Sequence, residues 1–332
     1  MGRQSLHVGK GRMMQGGGWN RPRRVRYVRF RWERLALLVV SSALVVFGLT
    51  RLIGYGRDLI ASRRTSEELR QVYHAQTPIV PAETVPPTAL PVTAAPTITV
   101  AQITPAPTSV SDPKLGAITY PGNPQLRVSS QFKALRKKNK DIIGWLTIGK
   151  MLDEAVLRRD NEYYMTHDAR GEKNVNGALF LDASIPLQTR PHTLMIYGHN
   201  MKSGAMFGCL RNYDNISFYR NSPFLSFDSL YEQGRYVVFA SGIVSLDESR
   251  RHCVDFYALG SDKIQERQKA IDALIAASLH TCTIDVRPED QLLVLVTCVE
   301  RDDERRVVAA RRIRDGEEET SLKKAVGRSR KR

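Results

Sequence analysis

Between Leu35 and Thr50 the chain runs LALLVVSSALVVFGLT without a single charge, and no other stretch limits its possible folds as strongly. Carried past Arg51 to Ile53 the run is 19 residues long, which at ~1.5 Å of rise per residue roughly matches the hydrocarbon core of a bilayer. Arg51 can snorkel to the interface. We therefore expect residues 35–53 to form one transmembrane helix. A cleaved signal peptide is the alternative, but RLIGYGRDL follows the run where a small-residue cleavage site would stand. Arg21, Arg23, Arg24, Arg26, Arg29, Arg31 and Arg34 precede it, and so dense a positive flank is expected to stay on the cytoplasmic side of a cell membrane. Residues 1–34 are then a basic cytoplasmic tail, and the bulk of the chain lies outside the cell.

Charge and composition divide the remainder. The formal net charge is +16, of which residues 1–34 supply +9 and residues 314–332 supply +3. A nucleic-acid footprint would place its positive charge on a folded face, so nucleic acid is not expected as a partner. Residues 314–332 read as a charged, disordered tail. Residues 57–74 read as a short helical piece after the membrane. Thr77 to Pro113 then holds nine prolines among Thr, Ala and Val, a composition that cannot bury a core and should form an extended spacer. Residues 54–122 are thus a juxtamembrane segment and linker, and residues 123–313 form one domain.

Within that domain the periodicity is mostly that of short strands. Ser129–Asn139 places Phe132 and Leu135 on one face of a short amphipathic helix. Asp141–Ile148, Gly177–Asp182, Thr193–Asn200 and Tyr236–Val244 read as strands, and Met201–Tyr213 as a short helix. A longer helix is expected over Asp262–Leu279, with Ile264, Ile271, Leu274 and Ile275 at helical spacing. Many short strands with few helices point to a mainly β fold of the α+β kind, a barrel or sandwich.

The last strands carry the candidate chemistry. Asp290–Ile313 contains the apolar run Leu292–Val296, then Thr297 and Cys298, a charged turn, and Arg305 and Arg306 leading into Val307 and Val308. Such a pattern reads as an antiparallel hairpin that brings a thiol and a guanidinium together at its mouth. A cysteine on a strand is more often a buried structural residue, and a catalytic thiol needs a nearby base or cation. Of the seven histidines, His7 and His74 fall outside the domain, and His167, His192, His252 and His280 sit in polar loops or at element ends. His199 alone leaves an apolar strand, LMIY, at a Gly-His-Asn turn where its ring can face a cleft.

The segments TLMIYGHNMKSGAMFGCL, LLVLVTC and RRVVAARR together resemble the sortases, and within them the class B group. FKALRKKNKDIIGWLTI, DNEYYMTHDARGEKNVNGALFLD and the helix before the cysteine strand extend the resemblance over about residues 125–313. It implies a closed eight-stranded β-barrel with peripheral helices, on a membrane-anchored cysteine transpeptidase outside a Gram-positive cell. It further implies Cys298 as nucleophile, His199 as acid/base partner and Arg306, immediately before the Val-Val pair, as the cation at the acyl centre. Arg305 would lie on the other strand face. The partners implied are surface proteins with a C-terminal sorting signal and an amine of cell-wall peptide, or of a pilin. Two features depart from the class pattern: Val296 replaces a small hydroxyl residue two positions before the cysteine, and the turn VERDDER is short.

Other readings remain open: a hydrolytic cysteine protease resolving its thioester with water, and a non-catalytic binding module on the same barrel. No acidic cluster has calcium-ligand spacing, so no metal or other cofactor is expected. The helix Asp262–Leu279 is expected to wall one side of a substrate groove. Cys209 reads as a buried inert thiol, Cys298 must stay reduced, and a Cys253–Cys282 bridge is left open.

Overall fold

The structure is a computed structural model that describes residues 32–75, 113–298 and 303–332. Most of the expected cytoplasmic tail and most of the Pro/Thr-rich linker lie outside the described residues. The chain divides into two units, residues 1–52 and 53–332. In the first, the described residues belong to helix α1 (Trp32–Ala75). Its side chains here, Leu37, Leu38, Leu44 and Val45 among them, are exposed, and the helix is long and apolar enough to cross a membrane. An unburied apolar helix of this kind is consistent with a membrane anchor.

The second unit is built on eight strands: β1 (Ile142–Ile148), β2 (Leu152–Leu157), β3 (Leu179–Leu181), β4 (Thr193–Tyr197), β5 (Phe224–Ser229), β6 (Gln233–Ser245), β7 (Leu292–Cys298) and β8 (Glu304–Arg312). They close into a barrel in the order β1-β2-β3-β4-β7-β8-β6-β5, the architecture the resemblance implied. Closure removes the open edges that would invite aggregation. The β2–β3 and β4–β7 pairs are parallel. Strands β4 and β7 are buried on both faces from Leu194 to Ile196 and from Leu292 to Thr297, which is why they read as continuous apolar runs rather than alternating ones. The β7–β8 hairpin forms as expected.

Sequence periodicity missed two strands. Strand β5, FLSFDS, alternates buried and half-buried residues, but its polar half hides the pattern. Strand β2 carries Asp153 and Glu154, poor strand formers. Its cost is met locally: Trp145 Nε1 donates to Asp153 Oδ1 at 2.6 Å, and Thr147 donates to the same oxygen.

Helices α2 (Ser130–Arg136), α3 (Ile216–Asn221) and α4 (Ile264–Ala277) cover the barrel. Phe132 and Leu135 on α2 are buried as expected. The segment after His199 is a 3-10 helix over Phe207–Asp214 rather than a helix from Met201. Residues 57–74 are helical, as expected, and Ser62, Thr65, Leu69 and Tyr73, at three- and four-residue spacing on α1, are buried against the barrel. One expectation is corrected: the C-terminus is not a disordered tail. Helix α5 (Glu319–Gly327) buries Leu322 and Val326, and Arg311 holds Glu317 with both guanidinium nitrogens at 2.7 Å. Several of the charges that made this stretch look solvated, Arg314, Glu317 and Glu319 among them, are paired.

Candidate active site

Strand register brings the sequence candidates together. In the parallel β4–β7 pair Tyr197 lies beside Val296, so His199 and Cys298, each two residues further on, come off adjacent strands at one level. Neighbouring strands are about 4.8 Å apart. In the antiparallel β7–β8 pair Cys298 lies opposite Arg305, and Thr297 opposite Arg306. Directly opposed residues share a sheet face. The positions of His199, Cys298 and Arg305 therefore line up across three consecutive strands.

This register departs from the expectation for Arg306. Arg306 shares a face with Thr297, is only 7% exposed, and is held by an ion pair with Asp214 at the end of the 3-10 helix. Arg305 lines a cavity of about 300 Å³ with His199, Tyr197, Asn161, Met165 and Tyr257, to which both Val296 and Thr297 of β7 contribute. The expected Arg306 and its neighbour Arg305 thus stand on opposite faces of the strand, Arg306 beside Asp214 and Arg305 on the cavity.

His199 is oriented by the backbone. Its Nε2 lies 2.6 Å from the Met165 carbonyl; since that oxygen can only accept, Nε2 carries the proton and Nδ1 is left to exchange one in the cavity. Met165 belongs to a short 3-10 turn, Tyr163–Met165, fixed from behind where Ala178 N–H donates to Tyr164 O at 2.9 Å. Gly177 makes this approach possible. Its φ is +59°, and a Cβ there would lie 2.5 Å from Tyr164 O, 3.0 Å from Met165 O and 3.1 Å from His199 Cδ2. Gly198 is required for a different reason, since a Cβ would lie 2.4 Å from Leu179 Cδ2. Beside it, burial and then the charge of Asp182 hold the Tyr197 hydroxyl far above its usual range, so it stays a neutral donor to Asp182.

The sequence reading missed Asn161, Met165, Tyr257 and Gly177 as parts of this site. Only the Asn-Gly turn at Gly177 carried a local signal. The other described cysteines are unbridged, and burial pushes the Cys209 thiol up to about 12, as an inert core thiol requires. Among the described residues, His, Cys, Asp and Glu form no cluster able to hold a metal.

Solved structures share this barrel. A Bacillus anthracis protein described as similar to sortase B superposes with a TM-score of 0.55 at 22% identity, covering 76% of this chain and 96% of that one. The Staphylococcus aureus sortase B–substrate complex gives 0.51 at 28% identity, covering 57% and 88%. The fold is that of the sortases. No family model matches the chain. Sortase B of Listeria monocytogenes, however, is 30% identical over 183 residues, 54% of this chain and 71% of the relative, and sortase B of S. aureus is 28% identical over 176 residues. The chain belongs to the sortase B family. It is, in general terms, a cysteine transpeptidase.

Proposed function

We propose that the protein cleaves a C-terminal sorting signal through a thioacyl intermediate on Cys298 and passes the acyl group to an amine of cell-wall peptide or of a pilin. The observation that carries this reading is the alignment of the His199, Cys298 and Arg305 positions across β4, β7 and β8. The Cys298 thiolate attacks the scissile carbonyl, whose C–N electrons leave with the amine. His199, as imidazolium, gives that amine its proton and later takes one from the incoming amine. Arg305 supplies guanidinium donors to the oxyanion of each tetrahedral intermediate, where losing one donor typically costs about 3 kcal/mol. The S. aureus sortase B has been solved as a complex with substrate, which supports a substrate-binding role for this barrel. The positive flank of residues 1–34 supports an N-terminus in the cytoplasm and a barrel outside the cell.

The test uses the full chain in detergent with a randomised peptide library, with and without hydroxylamine as a small amine nucleophile. Hydroxamate products and a peptide-sized mass increment on the protein, absent from Cys298→Ala, support transfer. Hydrolysis alone indicates a protease. No reaction and no adduct indicates a binding module.

A further inference from the structure

From Thr320 to Arg332 the chain reads TSLKKAVGRSRKR, six cations and no acid. The fold pins this run to the protein surface. Lys323 and Lys324 are exposed on α5, whereas Leu322 and Val326 are buried beneath it. Beyond Gly327 the backbone is held by strand-like pairing. Thr281 N–H donates to Arg330 O at 2.8 Å and Arg332 N–H to Leu279 O at 2.9 Å, and Lys331 bridges His280 in the antiparallel sense. Leu279 N–H in turn donates to Ser241 O on β6 at 2.8 Å, so residues 330–332 are tied to the barrel wall through residues 279–281. Ser329 is fully buried. Its carbonyl accepts from Arg220 on α3 at 2.9 Å, and its hydroxyl meets that of Thr283 at 3.1 Å.

The cations of this run, Lys323, Lys324, Arg328, Arg330, Lys331 and Arg332, all stay exposed. Among the described residues none of the six has an ion-pair partner. Two of the acids just before the run are engaged elsewhere, Glu317 with Arg311 and Glu319 with Arg235. Arg330 and Arg332 are alternate residues of extended backbone, ~6.6 Å apart, with Lys331 between them. That spacing is shorter than the Debye length of ~8 Å at physiological ionic strength, so the charges repel one another. A fold that fixes like charges so closely is less stable for it, and an anionic partner removes the repulsion.

The composition of the run narrows the partner. It contains no aromatic residue, and so offers neither an anchor for the core of a protein interface nor a ring for base stacking. Its large apolar side chains, Leu322 and Val326, are buried, which leaves no wedge for a bilayer. What it presents is a row of charge. We propose that residues 320–332 form a docking surface for a linear polyanion, a phosphodiester polymer recognised by its backbone charge alone. Arg328, Arg330 and Arg332 bring planar forks that each suit two oxygens of one phosphate. An extended phosphodiester chain with a three-carbon repeat carries its charges at about the interval of Arg330 and Arg332. None of residues 320–332 lines the cavity of His199, so this surface is separate from the acyl-transfer site and does not depend on that reading.

The full chain is tested in neutral detergent. The seven arginines between residues 21 and 34 are changed to glutamine in every sample, so that the N-terminal charge does not compete. Binding of fluorescent poly(glycerol phosphate) of about 20 units is followed by anisotropy from about 50 to about 200 mM NaCl. We expect contact with about four phosphates, hence an affinity that falls about fiftyfold over that range. Arg328→Gln, Arg330→Gln and Arg332→Gln together should weaken binding by about thirtyfold or more at the lower salt, and lysine at the same three positions by only about threefold. If the glutamine variant does not melt cooperatively, Lys323→Gln with Lys324→Gln on α5 replaces it, with an expected loss of about fivefold. Unchanged affinity in the glutamine variant that folds, or an affinity indifferent to salt, overturns the assignment. So does single-stranded DNA bound about tenfold tighter at equal charge, which indicates a nucleic-acid site. Binding confined to vesicles with about 30% phosphatidylglycerol overturns it in favour of a membrane surface.

Discussion

Arg305 and Arg306 are adjacent and chemically identical, yet the strand sends them to different work. Arg305 sits across from Cys298, and Arg306 pairs with Asp214 on the other face. Arg305→Lys should therefore lower kcat/KM by about a hundredfold or more, since an ammonium cannot reproduce the planar fork of donors. Arg306→Lys should cost stability instead, about 1–2 kcal/mol in chemical denaturation, with turnover changed far less. The reverse result would return the catalytic place to Arg306. Gly177 gives a second test at this scale. Alanine there meets both a left-handed φ and the Met165 carbonyl that holds His199. Gly177→Ala should cost about 2 kcal/mol or more and slow turnover as His199 loses its orientation. A crystal structure of the variant with the His199–Met165 contact unchanged would count against that account.

Among the elements, the docked half of α1 does the most that its sequence conceals. Tyr73 stacks on Trp145 with centroids 4.3 Å apart and donates to Asp228. Asn176 Nδ2 donates to Ser62 Oγ at 3.2 Å, and Asn174 Nδ2 to Asp58 O at 2.9 Å, so the helix braces the segment that positions Met165. Its seam with β2 is also pH-sensitive. Glu154 faces Ser66 and Arg70, the latter at 3.8 Å. Burial raises its carboxyl from the usual 4.5 to about 7, against the opposing pull of Ser66 and Arg70. A raised acid binds its proton more tightly in the folded state, so its contribution is greatest below pH 4.5 and is lost as pH rises through 7. The loss amounts to ~3 kcal/mol. Glu154→Gln should leave Tm nearly unchanged at pH 4.5 and raise it at pH 8. A Tm difference that does not change with pH would exclude Glu154 as the titrating group.

For the whole molecule, the C-terminal residues pack onto the folded unit rather than trail from it. Arg220 donates to Ser329 O, Arg314 holds Asp290 and Asp285, and Val326 is fully buried. Truncation after Ile313 would strip Glu317 from Arg311, itself 1% exposed, and leave a buried charge with much less compensation. We expect a loss of about 3 kcal/mol or more, seen as a clear fall in Tm; an unchanged Tm would restore the tail reading.

The sequence by itself determined the candidate anchor, the mainly β domain and the hairpin, because each is written in local periodicity or in motifs a few residues long. What it could not settle was every feature fixed by contact across distance. Which of Arg305 and Arg306 stands opposite the Cys298 position is a matter of one-residue register, which two neighbouring arginines leave open in the sequence. Strands β2 and β5 and helix α5 mix polar with apolar residues, so their pattern is hidden until the barrel and its covering elements bury one side of each. Residues 57–74 read as helical from sequence, but only the barrel shows that Leu69 and Tyr73 have a surface to bury against. Tyr257 joins the site because a crossover folds back beside β4. Charge and composition record what a residue costs to bury, and only the tertiary structure records whether a partner is there to offset that cost.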